Sequence, residues 1–258
     1  TAILGDTLRK IAFEKCGIIK DGCPVVTYPE QPEEALEEIK KQCALKNSPL
    51  IVPDIGALEI SGVGVEGTEF SYSGRTYVTP LVGDHFAKNA LTAIEALGVL
   101  RRKGYRISEK DIAYGVAARP FTARMEIVAR SPYIVLDGAH NIDAVDKLCK
   151  TLDEIFPGRR IITVMGMFAD KEYDKCIPKI AEKSEIFIAT EPESSRALSA
   201  FETASFARGR AKYIALSRLP RRALRAARSF AGKDDVILCC GSFSFLGEIK
   251  EALGGNSR

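Results

Sequence analysis

A chain of 258 residues, 46% hydrophobic and 28% charged, has enough apolar material for a sizeable core and lacks the composition of a disordered or fibrous protein. Lys and Arg exceed Asp and Glu by 37 − 34 = 3, too few to point to nucleic acid or an acidic membrane, although a basic pocket for an anionic substrate is allowed. No apolar run approaches the roughly 18 residues of a membrane span and no leader pattern opens the chain, so a soluble cytoplasmic protein is expected.

The length suits two domains. Leu8 to Ile19 reads as a helix, Pro24 to Tyr28 as a strand, Pro32 to Leu45 as a helix with a polar face and Pro49 to Val52 as a short strand. Thr68 to Thr79 changes to period two, with Ser73-Gly74 as a hairpin turn. Asp84 to Leu100 carries an apolar stripe at Phe86, Ala90, Ile94 and Leu97, with Asp84 placed to cap it. Ser108 to Ala118 opens with the capping-box pattern Ser-Glu-Lys-Asp. Arg119 to Ala123, with Pro120, interrupts the helical pattern and marks the domain boundary.

Beyond it, strands near Glu126 to Val128, Tyr133 to Leu136, Ile161 to Met165, Ile186 to Thr190, Tyr213 to Leu216 and Val236 to Cys240 alternate with helices. The helices fall near Asp143 to Ile155, Tyr173 to Lys183, Ser199 to Ala207 and Pro220 to Phe230. That order predicts an α/β fold, a mostly parallel Rossmann-like sheet with helices on both faces. The seven cysteines show no paired CxxC spacing and read as reduced packing thiols. Arg218, Arg221, Arg222, Arg225 and Arg228 line one side of the last of these helices and read as a solvated face.

Chemistry-bearing residues gather at element boundaries. Asp137-Gly-Ala-His-Asn141 follows a strand at the sheet edge where α/β proteins bind ligands. Its acid can accept from ribose hydroxyls and its imidazole can stack on a base; equally, it is a βα turn whose Asp or Asn caps the next helix. His85-Phe-Ala-Lys-Asn89 opens a strong helix, where backbone amides favour anions and an amide side chain can read an adenine edge, or where Asn89 is simply exposed.

Four stretches, Leu4-Gly-Asp-Thr through Ile11-Ala-Phe-Glu-Lys-Cys-Gly-Ile-Ile-Lys20, Gly83-Asp-His-Phe-Ala-Lys-Asn-Ala90, Arg124-Met-Glu and Asp137-Gly-Ala-His-Asn141, occur in one order and spacing. Met165-Gly-Met-Phe-Ala-Asp-Lys171 and Cys240-Gly-Ser242 support them. Together they resemble the folylpolyglutamate synthases and bifunctional dihydrofolate synthases of the Mur ligase superfamily. The resemblance implies an ATP- and Mg²⁺-dependent ligase that phosphorylates the γ-carboxylate of a folate and lets the amine of L-glutamate attack the acyl phosphate. It also implies that residues 1–122 are the second half of a P-loop-type ATPase domain, with a β-hairpin, and residues 123–258 a Rossmann-like glutamate domain. By the same likeness Lys15 is carbamylated and helps hold Mg²⁺; Asn89, Arg124, Asp137 and His140 contact ATP. Lys171 and Ser242 face glutamate, or are loop residues. A monomer with small-molecule partners only is implied.

The sequence departs from that family in having no Gly-x-x-x-x-Gly-Lys-Ser/Thr phosphate loop. The chain is therefore expected to be inactive by itself. Thr122-Ala123 stands where the family has Pro-Gly, and Phe86 where it has glutamine. The rivals are a cell-wall precursor Mur-type ligase and a non-catalytic binding module derived from such an enzyme.

Overall fold

The computed structural model describes residues 5–118 and 122–254; Leu4 and Arg119–Phe121, where the sequence places a motif residue and most of the domain break, lie outside the described residues. The chain forms two compact units. The first ends at Ala118, but Val63–Glu66 and Leu81–Gly83 are part of the second, which otherwise starts after that residue.

In the N-terminal unit, α1 (Leu8–Cys16) and α2 (Glu33–Leu45) accompany a parallel pair, β1 (Val25–Val26) and β2 (Leu50–Ile51). The first helix stops earlier than its apolar spacing suggests, because Gly17 turns back to bond the Glu14 carbonyl. Next, β3 (Leu58–Gly64), β4 (Gly67–Tyr72) and β5 (Arg75–Thr79) form a three-stranded sheet. Ser73 and Gly74 join β4 to β5 with φ of 50° and 75°, the two left-handed residues of a type I′ turn.

α3 (Asp84–Arg102) and α4 (Glu109–Ala117) pack on this sheet around Phe70, Tyr72, Tyr77, Leu91 and Ile112. Asp84 is the first helical residue of α3 rather than its cap. At α4 the capping box is complete: the Ser108 hydroxyl accepts from the Asp111 amide, and the Asp111 carboxylate accepts from the Ser108 amide at 2.7 Å. Ser108→Ala should cost about 1 kcal/mol, read as a lower urea midpoint.

The C-terminal unit holds β6 (Glu126–Arg130), β7 (Tyr133–Asp137), α5 (Ile142–Ile155), β8 (Ile161–Met165), α6 (Tyr173–Glu182), β9 (Ile186–Ala189), α7 (Ala200–Ala207), β10 (Tyr213–Leu216), α8 (Pro220–Phe230), β11 (Val236–Cys240) and α9 (Phe243–Gly254). Its six strands run in the order β10-β9-β8-β11-β7-β6, all parallel except β6, which is antiparallel to β7.

Successive residues of each central strand are buried on opposite faces of the sheet. In β11, Val236, Leu238 and Cys240 face α5, α6 and α7, while Ile237 and Cys239 face α8 and α9. Both faces are covered, which explains why β7, β8, β9 and β11 read as apolar runs rather than alternating strands. Leu238→Ala should cost about 2–5 kcal/mol, read as a lower denaturant midpoint.

All seven cysteines are free; Cys43, Cys149, Cys176, Cys239 and Cys240 are buried and pack in the interior, where burial pushes the Cys239 thiol up to about 12, while Cys23 is exposed. The exposed arginines of α8 lie opposite buried Ala223, Leu224 and Ala227, as a solvated face requires. Among the described residues no helix is long and apolar enough to cross a membrane.

Candidate functional site

After β10 the chain reverses its march across the C-terminal sheet and returns to place β11 between β8 and β7. A crevice at the carboxyl ends of strands is expected at such a reversal. Three pieces of chain meet there: the turn before β6, the end of β7 and the start of α9.

Asp137 ends β7 with 8% of its surface exposed. Its Oδ1 accepts from the Ala139 amide and its Oδ2 from the Met125 amide, both at 2.8 Å. Burial is the main influence on its carboxyl and lifts it to about 6, against the pull of the two amide bonds and the nearby charges of Arg124 and His140.

The sign of the linkage follows. The folded protein binds this proton more tightly than the unfolded chain, whose carboxyl titrates near 3.8. This group's contribution to stability is therefore present below that value and is lost as pH rises through about 6. A ¹³C titration of the Asp137 carboxyl should show a midpoint near 6, and one near 4 would contradict its burial.

Gly138 donates its amide to the Ala123 carbonyl at 2.9 Å. A Cβ at this glycine would lie 2.5 Å from the Phe243 ring, so the aromatic sits directly on the backbone. His140 Nδ1 lies 2.7 Å from the Gly138 carbonyl. A carbonyl only accepts, so Nδ1 carries the proton of this bond and Nε2 is left for another partner. Asn141 caps α5, its Oδ1 accepting from the Ala144 amide at 2.9 Å. The helix-capping alternative thus holds for Asn141, while Asp137 organises the turn with both carboxylate oxygens.

Arg124 sits on the turn before β6 with its guanidinium carbon 5.0 Å from the Phe243 ring centroid; the His140 ring is edge-on to the same phenylalanine at 6.2 Å. The fold therefore brings Arg124, Asp137 and His140 together around Phe243, a residue the sequence reading did not single out. Its signal was an aromatic directly after a Gly-Ser that ends a buried strand. Ser242 is buried, and its hydroxyl accepts from the Phe245 amide at 3.3 Å, supporting the start of α9.

Lys171 lies after β8 and pairs with Asp170 at 3.3 Å. Asp170 also binds Arg196 at 2.7 Å, whose guanidinium stacks 4.7 Å from Phe168. Glu191, past the end of β9, accepts from the Ala200 amide at 2.9 Å and pairs with Arg218 at 3.2 Å. Lys171 is thus one member of a charged group beyond the carboxyl ends of β8 and β9.

In the N-terminal unit, Asn89 lies in the second turn of α3 and Lys15 is exposed near the end of α1. Among the described residues no three His, Cys, Asp or Glu side chains converge as a metal site.

Residues 123–243 match the family model for the Mur ligase glutamate ligase domain. The dihydrofolate synthase/folylpolyglutamate synthase of Bacillus subtilis is 29% identical over 261 residues, covering 97% of this chain and 59% of the relative. The Escherichia coli FolC structure, in complex with DHPP and ADP, superposes with a TM-score of 0.84 at 25% identity, covering 100% of this chain and 59% of that one. A bifunctional folylpolyglutamate synthase/dihydrofolate synthase solved with Mn, AMPPNP and L-glutamate gives a TM-score of 0.78 at 25% identity, covering 98% and 59%. The chain thus spans about six-tenths of the length of the proteins it matches.

Proposed function

Since the chain belongs to the Mur ligase family through its glutamate ligase domain at residues 123–243, we propose that it serves ATP-dependent ligation of L-glutamate to the γ-carboxylate of a folate, with dihydrofolate synthesis as a second activity. The reading is carried by the Arg124, Asp137, His140 and Phe243 cluster, set at a sheet reversal in a chain similar to such synthases over nearly its whole length.

In this reading residues 1–122 supply the second half of the ATPase domain and residues 123–258 the glutamate domain. ATP transfers its γ-phosphoryl group to the folate carboxylate, releasing ADP. The glutamate amine then attacks the acyl carbon, loses a proton, and expels inorganic phosphate as the amide forms. Mg²⁺ supplies charge neutralisation on the phosphates when bound.

Arg124 offers a permanent cation to oxygens whose charge shifts during transfer. His140, with Nδ1 occupied by the Gly138 carbonyl, presents Nε2 and its ring to the nucleoside. Asp137 has lone pairs left for ribose hydroxyls after taking two amides. Asn89 reads the adenine edge and Lys15, as its carbamate, faces the metal. Lys171 and Ser242 are set for the incoming glutamate, whose carboxylate a lysine can hold.

The 258 residues contain no phosphate-loop motif, so alone they should release no ADP. The experiment is incorporation of labelled glutamate into tetrahydrofolate, run with this chain and with the complete gene product. Incorporation by the complete product alone supports both statements. A folded complete product that incorporates nothing removes the folate reading, and a cell-wall precursor becomes the acceptor to assay.

A further inference from the structure

Two carboxylates grip the turn that carries Arg124. Ala123 and Met125, on either side of it, have φ of 58° and 44°, and both are buried. Residues with a Cβ rarely adopt this left-handed region, and such a turn persists only when its surroundings hold it.

Asp137 takes the Met125 amide at 2.8 Å. On the other side Glu126 Oε2 takes the Ala123 amide at 2.7 Å, while Glu126 Oε1 pairs with Lys250 Nζ of α9 at 2.8 Å. The Glu126 side chain is only 15% exposed, so water competes weakly for these bonds. Phe243, the platform under the Arg124 guanidinium, begins the same helix that carries Lys250. α9 therefore supplies both the surface beneath the guanidinium and the cation behind its turn.

We propose that Glu126 is the positioning residue for Arg124, with Lys250 as its counter-ion, so that the seating of α9 sets where the guanidinium points. The functional consequence rests on reading Arg124 as a phosphate ligand. Glu126 acts through the Ala123 amide and not on substrate.

The first measurement is NMR of the 258-residue chain. Arg124 protons over Phe243 should carry an upfield ring-current shift, with Phe243→Leu defining its complete loss. Glu126→Ala should abolish the shift, while Glu126→Gln, which keeps an acceptor for the Ala123 amide but loses the ionic pair, should retain part of it. A shift unchanged in a folded Glu126→Ala protein overturns the proposal.

The second measurement is kcat/KM for ATP in the complete gene product. Glu126→Ala should lower it about tenfold, and the double variant with Arg124→Ala should be no worse than Arg124→Ala alone. Losses that multiply overturn the proposal. If Arg124→Ala leaves kcat/KM unchanged, the phosphate reading fails, and the ring-current result still decides whether Glu126 positions the turn.

Discussion

In the ligase reading proposed above, Arg124→Ala should lower the rate of glutamate-dependent ADP release, by a form that includes a phosphate loop, about 100-fold, the loss typical of removing one group aimed at developing charge. The guanidinium carbon lies 5.0 Å from the Phe243 ring centroid, and a guanidinium offers a fixed fork of donors that other side chains do not reproduce. Arg124→Lys restores charge but neither the planar fork nor the stacking, and should recover only part of the rate. Because Arg124 itself makes neither of the amide bonds that hold its turn, the variant's melting temperature should stay close to that of the parent. A variant as fast as the parent would remove Arg124 from the phosphate site.

A large stability loss is expected at the end of β11. Gly241, between β11 and Ser242, has φ of 121°, and a Cβ there would lie 2.4 Å from the Gly166 carbonyl oxygen. The obstacle is backbone, and that backbone is tied in turn, since the Gly166 amide donates to the Cys240 carbonyl at 3.3 Å. Strain and overlap add, so Gly241→Ala should cost about 3 kcal/mol or more in chemical denaturation. Gly247→Ala, in α9 with open space around its position, serves as the control and should be neutral or slightly stabilising. Equal midpoints for the two variants would mean that the loop after β11 can re-form around a side chain.

Most of the fold was legible because its elements carry separate signals. The four central strands of the C-terminal sheet are short apolar runs with both faces covered, and the capping box at Ser108 and the Ser73-Gly74 turn are written in single residues. Two elements were not read. β3 contains Glu59, Ser61 and two glycines, so it lacks a clean alternation, and it is a strand because β4 pairs with it. α9 begins in Gly-Ser-Phe-Ser, which has the composition of a loop; its helix is earned by burying Phe245, Leu246 and Ile249 on the sheet. The site was half legible for the same reason. Arg124, Asp137 and His140 stand near one another in sequence, whereas Phe243 reaches them only through the parallel pairing of β11 with β7. The part that Glu126 plays depends on a lysine 124 positions away, a separation that no local pattern displays.

The second unit is not one continuous stretch of chain. Val82, fully buried, belongs to its core, and Val63 and Val65 pack against that core, all at least 119 − 82 = 37 positions before Arg119. During synthesis these residues emerge long before the strands that will cover them, so their burial must wait until the sheet is made. A piece cut to the matched domain, beginning at residue 123, would leave Val82's place in the core empty. Such a piece should collapse less tightly and aggregate more readily than one that includes residues 63–83. Dissecting this protein therefore calls for a cut upstream of β3.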